Sequence, residues 1–145
     1  MRFMVIIKAT PETEKEGFRP DPQILADMGK FNEELIKAGV VLAMDGLHQS
    51  SKGARVKFSG NNRTVIDGPF TEAKELIVGF WLWQVKSLEE AIEWVKRCPH
   101  PHSSDSEIEI RQVFAMEDFA PVLTEEQIQH KVEKRAELPL QTANK

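Results

Sequence analysis

Apolar and polar positions along Arg2 to Ala9 place Phe3, Val5 and Ile7 on one side and Met4 and Ile6 on the other, a pattern that predicts a strand with two apolar faces. Thr10-Pro11 ends it. The polar stretch from Thr13 to Pro22 reads as a loop, and Asp21-Pro22 supplies a helix N-cap followed by proline at the first helical position. Ile24, Met28, Phe31 and Leu35 then recur at helical spacing, with Leu25 and Ile36 beside them and Asp27, Lys30, Glu33, Glu34 and Lys37 on the other side. This predicts an amphipathic helix of about four turns, stopped by Gly39. Three short strands follow at Val40–Met44, Ala54–Phe58 and Thr64–Ile66, and the last two read as a hairpin around Ser59-Gly60-Asn61-Asn62. Ile77–Val85 is the most apolar segment and predicts a central strand, with Val78, Phe80 and Leu82 on one face and Trp81, Trp83 and Val85 on the other. Ser87 three residues before Glu90 is a capping box, opening a helix whose stripe of Leu88, Ala91, Ile92 and Val95 runs up to Cys98-Pro99. Glu107–Phe114 alternates as a last strand, and Thr124 with Gln127 opens a polar C-terminal helix that ends before Leu138-Pro139.

In this order the elements make a strand–helix–strand unit given twice with an elaborated middle, which suits an α+β domain of ferredoxin-like type: an antiparallel sheet with both helices on one face. We divide the chain into a domain over 1–120 and a helical, polar tail over 121–145. The other face of such a sheet is uncovered, yet the first strand and Ile77–Val85 are apolar on both sides, and Trp81 with Trp83 would leave a large exposed patch. A face-to-face homodimer or a ligand cavity is implied, the homodimer being favoured, and the two are compatible because dimer contacts often frame a pocket.

Composition narrows the function classes. The 145 residues suffice for one compact domain, and 19 Lys and Arg against 23 Asp and Glu make non-specific binding to nucleic acid through a basic face an unfavoured reading. Cys98 is the single cysteine, so no internal disulfide forms, and a reducing, cytoplasmic setting is expected. No apolar run approaches the length needed to span a bilayer, so no membrane partner is expected. Gly-rich phosphate loops, Gly-x-Ser-x-Gly elbows and His-Glu-x-x-His pairs do not occur, and no cofactor is expected.

The candidate chemistry gathers in Asp67-Gly68-Pro69-Phe70-Thr71-Glu72-Ala73-Lys74-Glu75, where a Gly-Pro turn is surrounded by ionisable groups. On a functional reading Asp67 is an acid or base at the end of a strand and Lys74 orients an anionic substrate; on a structural reading Asp67 caps an Asx-type turn and the charges are a solvated connection. His48, after the strand that begins at Val40, could meet Asp67 at one end of the sheet as a proton-transfer dyad, or be a surface residue in a turn. Trp81, Trp83 and Trp94 are candidates for a stacking platform for an aromatic ligand, although core or interface is the commoner place for a tryptophan. Arg111 needs an acidic partner if buried, with Asp67 or Glu75 as candidates, and Glu75 joins Lys74 as a substrate contact. Cys98, His100 and His102 match no usual zinc spacing, and their interleaved prolines read as a helix-terminating loop rather than a metal site.

With these residues in view, Asp67-Gly68-Pro69-Phe70 followed by Thr71 to Leu76, a Gly79-Phe80 strand, a Ser-Leu-Glu-Glu-Ala helix and Glu109-Ile110-Arg111 resemble the YCII-related family in its longer, DGPF-domain branch. The resemblance covers roughly Met1 to Phe119 and implies a ferredoxin-like dimeric α/β barrel with no assigned activity. It also implies an association with extracytoplasmic-function sigma factors for the long branch, and a His–Asp pair in shorter relatives. Asp67 matches the acid of that pair, whereas Pro20 to Leu25, where the histidine would fall, has none, leaving His48 as a substitute from another strand. Two functions are expected from this: a dimer binding a small anionic or aromatic metabolite, with acid–base chemistry of lyase, isomerase or cofactor-free oxygenase type at Asp67, or a non-catalytic regulatory module with a protein partner.

Overall fold

The computed structural model describes residues 1–139; the last six residues of the expected tail lie outside the described residues. Strands β1 (Arg2–Lys8), β2 (Val41–Gly46), β5 (Ile77–Gln84) and β6 (Ile108–Gln112) form one antiparallel sheet in the order β2-β5-β1-β6, and β3 (Ala54–Ser59) pairs with β4 (Asn62–Asp67) in a separate two-stranded sheet. Helices α1 (Pro22–Lys37), α2 (Leu88–Lys96) and α3 (Glu125–Ala136) complete a mixed α+β architecture of the ferredoxin-like kind. The four-stranded sheet is open, so the single chain does not close a barrel.

Local chemistry explains where the helices begin and end. Asp21 accepts a hydrogen bond from the Gln23 N–H at 2.7 Å, Ser87 from the Glu90 N–H at 3.1 Å and Thr124 from the Gln127 N–H at 3.1 Å, each satisfying an orphan donor of a first turn. Gly39 sits at φ 70°, the left-handed conformation that stops α1. Gly29, by contrast, lies inside α1 with nothing within 4 Å of where a Cβ would stand. Gly29→Ala is therefore expected to raise stability by about 0.5–1 kcal/mol through helix propensity alone, measured by chemical denaturation; a loss of stability would refute open space at that position.

Both principal helices lie on one face of the sheet. Phe3, Val5, Trp81 and Trp83 point towards Phe31, Leu35 and Ala91, all buried, with Met28, Trp94, Val95, Ile108 and Ile110 packed around them. The Phe31 ring meets Trp81 edge-on at 6.0 Å and Trp83 at 6.4 Å, an arrangement worth about 0.5–1.5 kcal/mol per pair beyond burial. The Trp81 indole N–H donates to Asn32 Oδ1 at 2.9 Å. Cover for the tryptophans is thus supplied by the chain's own helices, which corrects the ground on which a second copy was expected.

The opposite face is the one left open. Residues directly across neighbouring strands share a face, and the register gives two rows across the sheet: Ala43–Leu82–Met4–Arg111 and Asp45–Phe80–Ile6–Glu109. A shift in register between Val41 and Ala43 turns the rest of β2 over, because side chains alternate with period two. That bulge puts Asp45 on the open face beside Phe80.

Candidate functional site

Segment 67–76 leaves the hairpin at Asp67 and returns to the sheet at β5. Its backbone is held on both sides. Gly68 N–H donates to the Gly53 carbonyl at 3.0 Å, and the Ala9 N–H donates to the Leu76 carbonyl at 2.9 Å. The Gly68-Pro69 peptide is cis, and a Cβ on Gly68 would stand 1.7 Å from the Ser50 carbonyl oxygen. Glycine is required at this position by close approach of two backbones, not by its own dihedral angles.

Ser50, at the start of a short 3-10 turn over Ser50–Lys52, is the hub of the arrangement. Its hydroxyl accepts from the Phe70 N–H at 2.9 Å and donates to Glu14 Oε2 at 2.5 Å, while its own N–H donates to Glu14 Oε1 at 3.1 Å. Glu14 is placed by a pair of buried threonines just before it: the Thr10 N–H donates to Thr13 Oγ1 and the Thr13 N–H to Thr10 Oγ1. The Arg55 guanidinium lies 3.9 Å from the centroid of the Phe70 ring, fixing the base of the hairpin to the same loop. Three segments distant in sequence, 10–14, 50–55 and 67–70, are therefore locked together at one end of the sheet.

Asp67 stands at the exit of this lock, opposite Ala54 in the hairpin ladder and exposed. Among the described residues its carboxylate makes no hydrogen bond or ion pair, so the Asx-type cap is not formed. His48 is also exposed and, among the described residues, without a side-chain partner, and no hydrogen bond joins it to Asp67. Lys74 and Glu75 lie exposed in a second 3-10 turn, Ala73–Glu75, and pair with nothing among the described residues. Arg111 is on the open sheet face, where it meets Glu109 at 3.5 Å, and Glu109 in turn meets Lys8 at 3.7 Å. Its acidic partner is its strand neighbour once removed, not Asp67 or Glu75 as the sequence suggested. Trp81 is 3% exposed and enclosed by Phe31, Trp83 and α1, so its ring offers no face for ligand stacking.

The Cys98–His102 segment is structural. Burial pushes the Cys98 thiol up to about 11, so at neutral pH it is a thiol and not a nucleophilic thiolate. His102 Nε2 bonds the Lys8 carbonyl at 2.9 Å, and His100 Nδ1 bonds the His102 carbonyl, which assigns the hydrogen to those nitrogens. Among the described residues no group of three His, Cys, Asp or Glu side chains is arranged to hold a metal ion. No helix among them is long and apolar enough to cross a membrane.

Sequence reasoning missed Glu14, Ser50 and Asp45. Glu14 lay in a stretch legible only as a polar loop, and Ser50 in one legible only as a turn. Asp45 depended on a bulge that no local pattern announces.

The architecture and the locked Gly-Pro-Phe loop define a class: a small ferredoxin-like α+β protein with an open sheet face and an ordered loop at its end. The YCII-related domain matches residues 1–117, and the chain belongs to the YCII-related family. An uncharacterized protein of Rhizobium meliloti (strain 1021) is 28% identical over 91 residues, which cover 63% of this chain and 73% of that protein. Helix α3 lies beyond the matched residues.

Proposed function

We propose that the protein is a homodimer that binds a small anionic or aromatic metabolite, with Asp67 as the group able to exchange a proton with it. The observation that carries this reading is the open sheet face. Met4 and Leu82 in one row and Ile6 and Phe80 in the next form an apolar centre that the chain's own helices leave uncovered. A second copy of the same face would bury that centre and convert the space beside the Gly-Pro-Phe loop into a closed pocket, the dimeric α/β barrel implied by the DGPF branch. Asp67, His48, Lys74 and Glu75 supply unpaired polar groups around that loop, and the open face carries Asp45 towards one edge and the linked Lys8, Glu109 and Arg111 towards the other. A cytoplasmic setting accords with the single, half-buried thiol.

Thermal-shift measurements against metabolite panels, run on the wild type and on Asp67→Asn, test this. A ligand present at about 100 times its Kd adds about 2.7 kcal/mol of stability, worth several degrees in a domain of this size. A carboxylic or aromatic compound is expected to raise the melting temperature of the wild type and to leave Asp67→Asn unchanged. Equal shifts in both would remove Asp67 from the site.

A second reading, a regulatory module with a sigma-factor or other protein partner, is favoured by α3. The helix has no buried residue and presents Val132 42% exposed among charged neighbours. The same panel tests this reading: no shift with any compound would favour it.

A further inference from the structure

The β3–β4 hairpin has no place in the four-stranded sheet, and every residue of both strands is exposed. An isolated two-stranded ribbon is at best marginally stable in water, so this one needs cover on at least one side. Its two faces differ. Arg55, Lys57 and Ser59 share one face with Ile66, Thr64 and Asn62, and through Arg55 that face rests on Phe70. Ala54, Val56 and Phe58 share the other with Asp67, Val65 and Arg63. On this second face Val56 is 50% exposed, Val65 65% and Phe58 69%, and the Arg63 guanidinium lies over the Phe58 ring at 4.3 Å. An apolar stripe with an arginine-capped aromatic at its tip is bare.

The hairpin is also locally basic, its one acid being Asp67 at the base of β4. Residues 46–66 hold Lys52, Arg55, Lys57 and Arg63 and no Asp or Glu, leaving 15 of the 19 Lys and Arg to face all 23 Asp and Glu in the remainder. Among the described residues none of these four cations meets a carboxylate: Arg55 and Arg63 lie over aromatic rings, and Arg63 also donates to the Gly60 and Asn62 carbonyls. A basic arm is thus carried on an acidic body.

We infer that the β3–β4 hairpin is a clasp that docks on the body of a second copy of this chain, with Phe58 and Arg63 as its anchor. Charge selects this occupant, because a second copy brings the acidic surface that the four cations lack. A polyanion such as nucleic acid would be repelled by the body once within about 10 Å of it and would leave Val56, Val65 and Phe58 in water. Aromatic and arginine side chains are also the residues that dominate protein–protein contacts. The inference rests on the dimer proposed above and adds to the open sheet face a second, charge-dependent contact outside it.

Sedimentation equilibrium of the full chain separates the two contacts. Phe58→Ser and Arg63→Glu are each expected to weaken dimerisation by about tenfold or more, and raising salt from about 50 to about 500 mM is expected to weaken the wild type more than Arg63→Glu. Both side chains lie outside the core, and unchanged circular dichroism will show that the fold is kept. If both arm variants dimerise like the wild type while Leu82→Asp does not, the clasp is overturned and the sheet-face reading stands. A wild type that is monomeric at micromolar concentration overturns both. Binding of a short labelled DNA duplex at physiological salt that Arg63→Glu abolishes, with dimerisation unchanged, overturns the clasp in favour of a polyanion.

Discussion

Gly68→Ala is expected to destabilise the protein by about 3 kcal/mol, lowering its melting temperature by roughly 10 °C. The new Cβ would stand 1.7 Å from the Ser50 carbonyl oxygen, and a backbone atom cannot swing aside as a side-chain end can. Relief requires segment 67–70 to separate from the Ser50 turn. That separation breaks the bond from the Phe70 N–H to Ser50 Oγ and strands the Glu14–Ser50 pair. Differential scanning calorimetry measures the loss, and Gly53→Ala is the control, since its Cβ would meet the Ser50 carbonyl oxygen at 3.6 Å, an ordinary contact. A change in Gly68→Ala no larger than in Gly53→Ala would show that the loop is free to move. The same variant bears on function, because whatever ligand response depends on Asp67 should be lost with the loop that presents it.

Leu82→Asp is expected to convert a dimer into a monomer. Leu82 lies in the central strand opposite Met4 and Ala43, half-buried between its sheet neighbours on the face away from the helices, so a carboxylate there keeps access to water in the single chain. A face-to-face dimer does not. Burying an unpaired carboxylate costs about 2 kcal/mol or more, and two-fold symmetry applies the cost twice, which weakens association by about a thousandfold. Light scattering at micromolar concentration reads the outcome directly. A variant that keeps the wild-type mass would place any dimer contact elsewhere.

Much of the fold was legible from short stretches of sequence. Asp21-Pro22, Ser87 with Glu90 and Thr124 with Gln127 marked three helix starts, because capping is settled within four residues. The alternation in Arg2–Ala9 and Ile77–Val85 placed the two inner strands, and Ser59 to Asn62 marked the hairpin. The faces were assigned correctly, but which of them the helices would cover was not. Trp81 and Trp83 looked like the surface in need of a partner, and the helices cover both, leaving Phe80 and Leu82. Periodicity fixes that two faces differ and says nothing of which one a distant helix will choose.

The loop shows the same division. Asp67 to Glu75 stood out in the sequence as a Gly-Pro turn among charges, and the structure gives that segment a defined, locked conformation. The residues that lock it, Glu14 and Ser50, lie 36 positions apart from each other, and Ser50 lies 20 positions from Phe70. Arg111 would have needed Asp67 or Glu75 only if buried; it is exposed and meets Glu109, two residues away on its own strand. Of the two readings open for Trp81, ligand platform or core, the structure takes the core, where its N–H is given to Asn32.

The elements, their caps and the family were readable in the chain, since all of these rest on interactions or motifs a few residues long, whereas the need for glycine at position 68 comes from the distant Ser50 carbonyl. The tertiary structure decided which sheet face stays open, that a bulge in β2 turns Asp45 onto it, and that a basic hairpin stands outside the sheet with its apolar side bare. Those depend on which distant segments meet, and pairing between segments far apart in the chain is set by the packing of the whole core and not by any pattern within one of them.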